Sequence, residues 1–306
     1  MILSYYDNTR NFGDLLNPLI FHYYLPEFFD NNPETIFLGI GTILGLKKGT
    51  PATKKIIVFS SGYGKGAEAI YGKAPHIDSR YEFICVRGPL TAEHFKLAPS
   101  LAISDGALLL KNMPFAEVAK SYDYSYMPHH VSEGIYNGWR QIIESAGMHY
   151  ISPQGEPLAI IEQIRKTKVL LTEAMHGAIV ADVFRVPWIP VNSSAHINKF
   201  KWNDWALTLN LNIELYPLPS LFSDRIISEL ISKRFSIAKY KPINYLGKHF
   251  YKITRQKMRL KKLKNDIRKL KTQTPYVSDE KIVEEKVNLL IEKIEFIKKK
   301  YSVKSI

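Results

Sequence analysis

The chain of 306 residues has one cysteine, Cys85, so it can form no internal disulfide and no cysteine-built zinc cluster. A reducing cytosol is the expected compartment. Long hydrophobic runs are missing as well. No window approaches 18 uninterrupted apolar residues, which leaves no candidate for a membrane-spanning helix. The opening MILSYYDNTRNFGD lacks the charged-then-apolar order of a secretory signal. There is no internal repeat and no low-complexity tract, and a composition of 45% apolar and 23% charged residues is that of a globular protein. The complete phosphate-binding fingerprints are absent too. In Gly39-Ile40-Gly41-Thr42 the third glycine is displaced to Gly45 and no suitable acidic residue follows. Ser60-Ser61-Gly62-Tyr63-Gly64 lacks the spacing of a P-loop and reads as a turn.

Charge, by contrast, is present and uneven. Residues 1–232 carry 20 Lys+Arg and 22 Asp+Glu, whereas residues 233–306 carry 22 and 7. A near-neutral body with a strongly basic extension suggests an anionic surface as partner. The extension also has two amphipathic series. One runs through Phe250, Ile253, Leu260, Leu263, Ile267 and Leu270, with Lys257 on its seam, and the other through Val283, Val287, Leu290, Ile294, Ile297 and Tyr301. Both have helical, coiled-coil-like spacing, so a basic helical hairpin is expected, with Ser278 or Asp279 capping its second helix.

The body alternates short apolar runs with amphipathic segments, the pattern of an α/β fold with parallel sheets. Expected strands are Ile2–Tyr6, Thr35–Leu38, Lys55–Ser60 and Glu82–Val86, then Tyr122–Met127, Met148–Ser152, Val169–Thr172 and Trp188–Val191. Expected helices are Leu15–Tyr24, Leu90–Phe95, Ile135–Ala146, Leu158–Thr167 and Ala178–Val186. The mixed stretch 111–121 is the expected crossing between two domains, 1–115 and 116–232, with 233–306 as the extension.

Ligands of open parallel sheets sit at the carboxyl ends of strands, so the polar or glycine-rich segments there supply the candidates. Asn11-Phe12-Gly13-Asp14 suits a tight loop with Asp14 as helix cap, and Gly41 allows close backbone approach. Arg87, before Gly88-Pro89, is expected at the rim of a cleft, where its guanidinium would grip carboxylate or phosphate. Asp105 follows another apolar run and orients a partner or caps a helix. Of His129 and His130, one reads as a hydrogen-bonder in the cleft and the other as structural or exposed. No set of ligands for a metal is assembled around them. Glu173-Ala174-Met175-His176-Gly177 is the most informative segment. It puts an imidazole able to move protons near neutral pH at a strand-to-helix turn, with free N–H donors expected at Gly177.

NFGDLLNP, FLGIGTIL, VRGP, SDGA, the PHH segment and EAMHGAIVADVFRVPWIPV, in that order over roughly residues 1–220, resemble the polysaccharide pyruvyl transferase family, in particular its exopolysaccharide ketal-forming members. The resemblance implies two Rossmann-like domains in a GT-B-like arrangement, phosphoenolpyruvate as donor and a sugar of a lipid-linked repeat unit as acceptor. It implies no cofactor. His176 matches the family's late histidine, in a stretch that often reads Arg-Leu-His and here reads Ala174-Met175-His176; Gly13 and Asp14 match an early glycine–aspartate pair. The reaction needs a general acid (His176), an anion clamp (Arg87 and the helix start at Gly177) and a carboxylate for the hydroxyls (Asp14 or Asp105). The missing arginine shifts anion binding to other cations.

The basic extension would then hold the enzyme on the cytoplasmic face of the bacterial inner membrane, or form a dimerising coiled coil, or both. Two other readings compete. One is a GT-B glycosyltransferase using a nucleotide sugar, and the other a non-catalytic, membrane-associated assembly protein. A nucleic-acid role is not expected, since the body offers no basic groove.

Overall fold

The computed structural model describes residues 1–6, 10–45, 49–65, 76–136, 138–193, 197–218 and 261–301. They form a mixed α/β structure with two parallel sheets. The first lobe contains β1 (Ile2–Ser4), α1 (Phe12–Tyr24), β2 (Thr35–Leu38), β3 (Lys55–Phe59), β4 (Tyr81–Cys85) and α2 (Pro89–His94), and then a 3-10 stretch, Gly106–Asn112. Its strands lie in chain order, β1-β2-β3-β4, with Ile36 opposite both Ile2 and Ile56. Consecutive residues of β2 and β3, from Ile36 to Leu38 and Ile56 to Phe59, are all buried, as strands covered on both faces require.

The second lobe contains β5 (Tyr122–Met127), α3 (His130–Ile135), α4 (Trp139–Ser145), β6 (His149–Tyr150), α5 (Pro157–Arg165), β7 (Thr167–Thr172), α6 (Met175–Val183), β8 (Trp188–Asn192), α7 (Lys199–Ala206) and β9 (Tyr216–Pro217). Its order is β6-β5-β7-β8-β9. The chain leaves β5 towards β6 on one side and returns across it to β7 on the other. The carboxyl ends of β5 and β7 are therefore a topological switch point, where the two flanking connections diverge and open a crevice.

The expected strands fall within a few residues of the observed ones. Three departures matter. The expected helix Ile135–Ala146 takes in only the last residue of α3 and then α4, which starts at Trp139. The 3-10 stretch Gly106–Asn112 and helix α7 were not expected. Asp14 does not cap α1: it lies inside the first turn, and Asn11 occupies the preceding position without a side-chain cap bond.

The C-terminal extension also departs from expectation. Phe250, Ile253, Lys257 and Leu260 lie outside the described residues. Beyond them, α8 (261–270) and α9 (Glu280–Tyr301) pack onto the body rather than standing off it. Leu263, Ile267 and Leu270 join Tyr126, Trp139, Ile143 and Leu171 of the second lobe. The α9 seam, Val283, Val287, Leu290, Ile294 and Ile297, is at most 1% exposed and packs with Leu16 of α1, Leu108–Leu110 and the buried side of α6. Each such side chain gains about 1.5–3 kcal/mol from burial. Tyr276 exchanges both backbone hydrogen bonds with Trp188, at 2.8 and 2.9 Å. At the far end the Tyr301 hydroxyl donates to Glu82 of β4 at 2.7 Å.

The α9 helix therefore straps one lobe to the other, and its apolar seam is filled by its own chain, so that seam is not available for a coiled-coil dimer. The cap is Asp279, which accepts from the Lys281 N–H at 2.8 Å; Ser278 instead donates to buried Asp182. Nor is α9 basic, with six Lys against five Glu. The positive excess sits in residues 233–271, fifteen Lys and Arg against the single Asp266. Among the described residues no helix is long and apolar enough to cross a membrane.

Candidate functional site

The crevice at the switch point is a cavity of about 440 Å³, within the usual range for small-molecule sites. Three parts of the chain wall it. The second lobe supplies His129, His130 and Glu173–His176 from the ends of β5 and β7. The first lobe supplies Asn11–Asp14 from the start of α1, and Gly41–Ile43 after β2. Helix α7 adds Asn198, Lys201 and Trp202 from its start and first turn.

His176 is the second residue of α6 and keeps 14% of its side chain exposed. Its Nε2 stands 3.4 Å from Oδ2 of Asp105. Asp105 is fully buried, and its other oxygen accepts the Ala107 N–H at 3.0 Å. Burial alone would raise the Asp105 carboxyl, but the facing His176, the Ala107 N–H and Arg87 overcome this and hold it below the usual carboxylate range. Asp105 does not line the cavity and stands behind the imidazole. The other edge of the ring rests on α1. A Cβ at Gly13 would stand 2.0 Å from His176 Nδ1, so only glycine lets the helix start and the ring lie in contact.

Asp14 lines the cavity and accepts from Asn11 Nδ2 at 2.5 Å. Gly41 faces it with φ +128°, a left-handed conformation that favours glycine, and a Cβ there would lie 3.3 Å from Asp14 Oδ1. The buried Asn17 amide bonds the Ile40 N–H at 2.7 Å and carbonyl at 3.0 Å, which pins this loop to α1. Asp14 is thus a carboxylate fixed on the cavity wall.

Glu173 also borders the cavity, but its oxygens accept from Tyr126 Oη at 2.5 Å, Ser132 Oγ at 2.6 Å and the His129 N–H at 3.0 Å. Burial raises its carboxyl above the usual range despite these donors. So engaged, it braces the His129 turn against β7. Both histidines of that turn line the cavity, and His129 Nδ1 also accepts the Val131 N–H at 3.3 Å to cap α3.

Two expectations are corrected. Arg87 is not at the rim: it is fully buried behind the wall. Its guanidinium donates to Asp204 at 3.0 Å, to the Tyr63 carbonyl at 2.5 Å and to Thr42 Oγ1 at 3.3 Å. Gly62 lies so close that an added Cβ would be 2.3 Å from its Cζ. Asp204 also accepts from the Thr91 N–H and hydroxyl, so the pair is saturated and ties α7 to the first lobe. Gly177 does not offer a free donor either, because its N–H bonds the Ala174 carbonyl at 2.9 Å. Its role is spatial, since a Cβ would meet Met127 Sδ and Thr172 Oγ1, each at 2.8 Å.

The sequence reading missed α7 altogether. Lys201 is the only Lys or Arg among the described residues that line the cavity. Burial, with Arg87 nearby, pushes its ammonium down to about 8, against the opposing pull of Asp14 and Asp105. The available signal was KWNDW, a Lys and an Asp one turn apart among two tryptophans. Among the described residues no group of three or more His, Cys, Asp or Glu is placed to hold a metal ion.

The model of the family described as polysaccharide pyruvyl transferase matches residues 7–195. The succinoglycan biosynthesis protein ExoV of Rhizobium meliloti (strain 1021) is 41% identical over 204 residues, 66% of this chain and 62% of that protein, so the match spans less than two thirds of that relative's length. No solved structure matches.

Proposed function

This chain belongs to the polysaccharide pyruvyl transferase family, and from that premise we propose that it transfers the pyruvyl unit of phosphoenolpyruvate to a sugar of an exopolysaccharide repeat unit, leaving a pyruvate ketal and phosphate. The observation that carries the reading is His176, held on the cavity wall between buried Asp105 and the backbone of Gly13. Ketal formation asks for that group. C3 of the donor gains a proton, C2 forms bonds to two sugar oxygens, and the C2–O bond to phosphate breaks. Of the two hydroxyl protons released, one balances the proton delivered to C3 and the other leaves with phosphate.

In this scheme His176 is the general acid to C3 and takes a hydroxyl proton in return. Asp14 orients the attacking hydroxyls. Asp105 keeps the imidazole aimed, and Glu173 holds the His129–His130 turn that borders the acceptor side. Preorganised charge of this kind is commonly the largest single catalytic term.

The acceptor is proposed to be carried on a lipid at the cytoplasmic face of the inner membrane, with the protein peripheral there. The basic residues of 233–271 supply the attraction to anionic headgroups, about 1 kcal/mol for each Lys or Arg near the surface. The test is phosphate release from phosphoenolpyruvate with and without a lipid-linked repeat unit. Acceptor-dependent release is expected. A protein that releases none, and whose melting temperature rises with a nucleotide sugar but not with phosphoenolpyruvate, would overturn the reading in favour of a glycosyltransferase. Stabilisation by neither donor would point to a non-catalytic assembly role.

A further inference from the structure

We infer that Ser60 is a positioning residue: a wedge at the end of β3 that sets Asp105 against the His176 ring, while the turn it begins holds the Gly41 wall of the cavity. This rests on the reading of His176 above, but adds a residue that touches nothing bound there, since Ser60 does not line the cavity.

Two costs gather at this one residue. Ser60 has φ +61°, the left-handed region that glycine adopts freely and a side chain does not. Among the described residues Asn31, Lys96, Arg185 and Asn210 share a positive φ, but each of them is at least partly open to solvent, whereas Ser60 is wholly buried. Its hydroxyl is buried with it and has no hydrogen-bond partner among the described residues. A glycine at this position would avoid both costs. Strain of this kind persists only where the surrounding structure imposes it, and it concentrates at functional sites.

The contacts of the turn show what the strain secures. The Ser60 N–H donates to the Cys85 carbonyl at 3.0 Å, which fixes the turn to β4. The next two residues converge on one acceptor: the Ser61 hydroxyl, at 3.2 Å, and the Gly62 N–H, at 2.9 Å, both donate to the carbonyl of Gly41, the loop residue that faces Asp14. On the other side the Ser60 hydroxyl is pressed against Gly106, where an added Cβ would stand 2.5 Å from Oγ and 3.1 Å from Ile40 Cγ1. Gly106 directly follows Asp105, whose carboxylate faces His176 at 3.4 Å. Taking Cβ and Oγ away from position 60 opens space beneath that segment, and Asp105 can then recede from the ring.

The experiment compares the full chain as wild type, Ser60→Gly, Gly106→Ala and the double variant Ser60→Gly/Gly106→Ala. It reads steady-state phosphate release from phosphoenolpyruvate with a lipid-linked repeat unit, thermal melting, and hydrogen exchange of residues 104–112. Ser60→Gly should lose about 10²-fold in kcat, the cost of misplacing a reacting group by an ångström, with KM for phosphoenolpyruvate unchanged. Its melting temperature should hold or rise, the opposite of what truncating a residue that only packs would do. Gly106→Ala should lose kcat as well, because its methyl meets Ser60 Oγ. In the double variant that methyl fills the space the hydroxyl has left, and most of the lost kcat should return. Should Ser60→Gly fail to fold, Ser60→Ala takes its place, alone and with Gly106→Ala. Exchange over 104–112, where Asp105 accepts the Ala107 N–H, should quicken in Ser60→Gly and slow again in the double variant. Wild-type kcat in Ser60→Gly, a loss that tracks a lower melting temperature, or a double variant no better than Ser60→Gly overturns the inference and leaves the donor reading standing. A wild-type protein without acceptor-dependent phosphate release overturns the donor reading, and the exchange pattern then decides the wedge by itself.

Discussion

Two turns in this molecule look alike and do opposite things. After β4 the chain reads Arg87-Gly88-Pro89, and after β7 it reads His176-Gly177-Ala178. Each places a nitrogen-bearing side chain beside a glycine at a strand-to-helix junction, and each has a buried carboxylate behind it. Arg87 meets Asp204 at 3.0 Å, and both groups are wholly enclosed. His176 meets Asp105 at 3.4 Å, and only the carboxylate is enclosed. The first pair is closed, its hydrogen bonds spread over Thr42, Tyr63 and Thr91. The second is held apart, with His176 Nε2 and Asp105 Oδ2 lacking any fully formed hydrogen bond. Long, imperfectly aligned contacts that tighten only with substrate present are common at catalytic pairs. The difference comes from a third element: α7 covers the first junction with Asp204, whereas among the described residues the second keeps one edge open to the cavity.

The comparison is most directly broken by exchanging the consequences. His176→Asn should lower turnover about 10²–10⁴-fold, the usual worth of a general acid–base group, while the urea midpoint stays near that of wild type. Arg87→Met should do the reverse. Leaving Asp204 buried without its partner costs about 3–5 kcal/mol, and replacing both members by apolar residues recovers most of it. Equilibrium urea unfolding of Arg87→Met and of Arg87→Met/Asp204→Leu reads this. If Arg87→Met kept its stability and lost donor binding, the two junctions would be alike after all.

Much of the fold was legible because strands and helices announce themselves by local pattern. The β2, β3, β5 and β7 runs, the α9 seam and the turn at His176 were all readable at that level. What the pattern could not carry was anything set by contact between distant segments. VRGP and MHGA are equivalent until residue 204 arrives, 117 positions after Arg87. The α9 seam announced a helix needing a partner, and a second copy or a membrane was as consistent with it as Leu108–Leu110 and α6 of its own chain. Helix α7 stayed hidden for another reason. Buried Trp202, Asp204 and Trp205 beside cavity-facing Lys201 give it almost no separation of polar and apolar faces, so periodicity had nothing to report.

A finer contrast lies in how each ring or fork is seated. Gly62 makes room for the Arg87 guanidinium and Gly13 for the His176 ring. Adding a methyl at position 13 drives it into Nδ1, and the imidazole must move by an ångström or more. Displacement of that size commonly costs about 10²-fold in rate, so Gly13→Ala should lose that much turnover. Stability should fall less than for Arg87→Met, because the ring can swing towards the open cavity, whereas at Gly62 the guanidinium has nowhere to go. Turnover and melting temperature measured on Gly13→Ala and Gly62→Ala together would sharpen the distinction between a seat that aims and a seat that only packs.

The smallest expected effect probes the carboxylate behind the open pair. Asp105→Asn keeps the shape and the Ala107 N–H bond to Oδ1 but removes the charge that faces His176 Nε2. One weakened charge-assisted contact of about 1.5 kcal/mol implies roughly tenfold in turnover. Stability supplies an independent sign. A carboxyl held below its usual range stabilises the fold above the unfolded value, near 3.9, and that contribution disappears as pH falls through the folded value. The stability gap between wild type and Asp105→Asn should therefore narrow on acidification. A gap that widened would mean that burial, the largest influence on this group, prevails over His176, and that Asp105 is a strained core residue rather than the group that aims the imidazole.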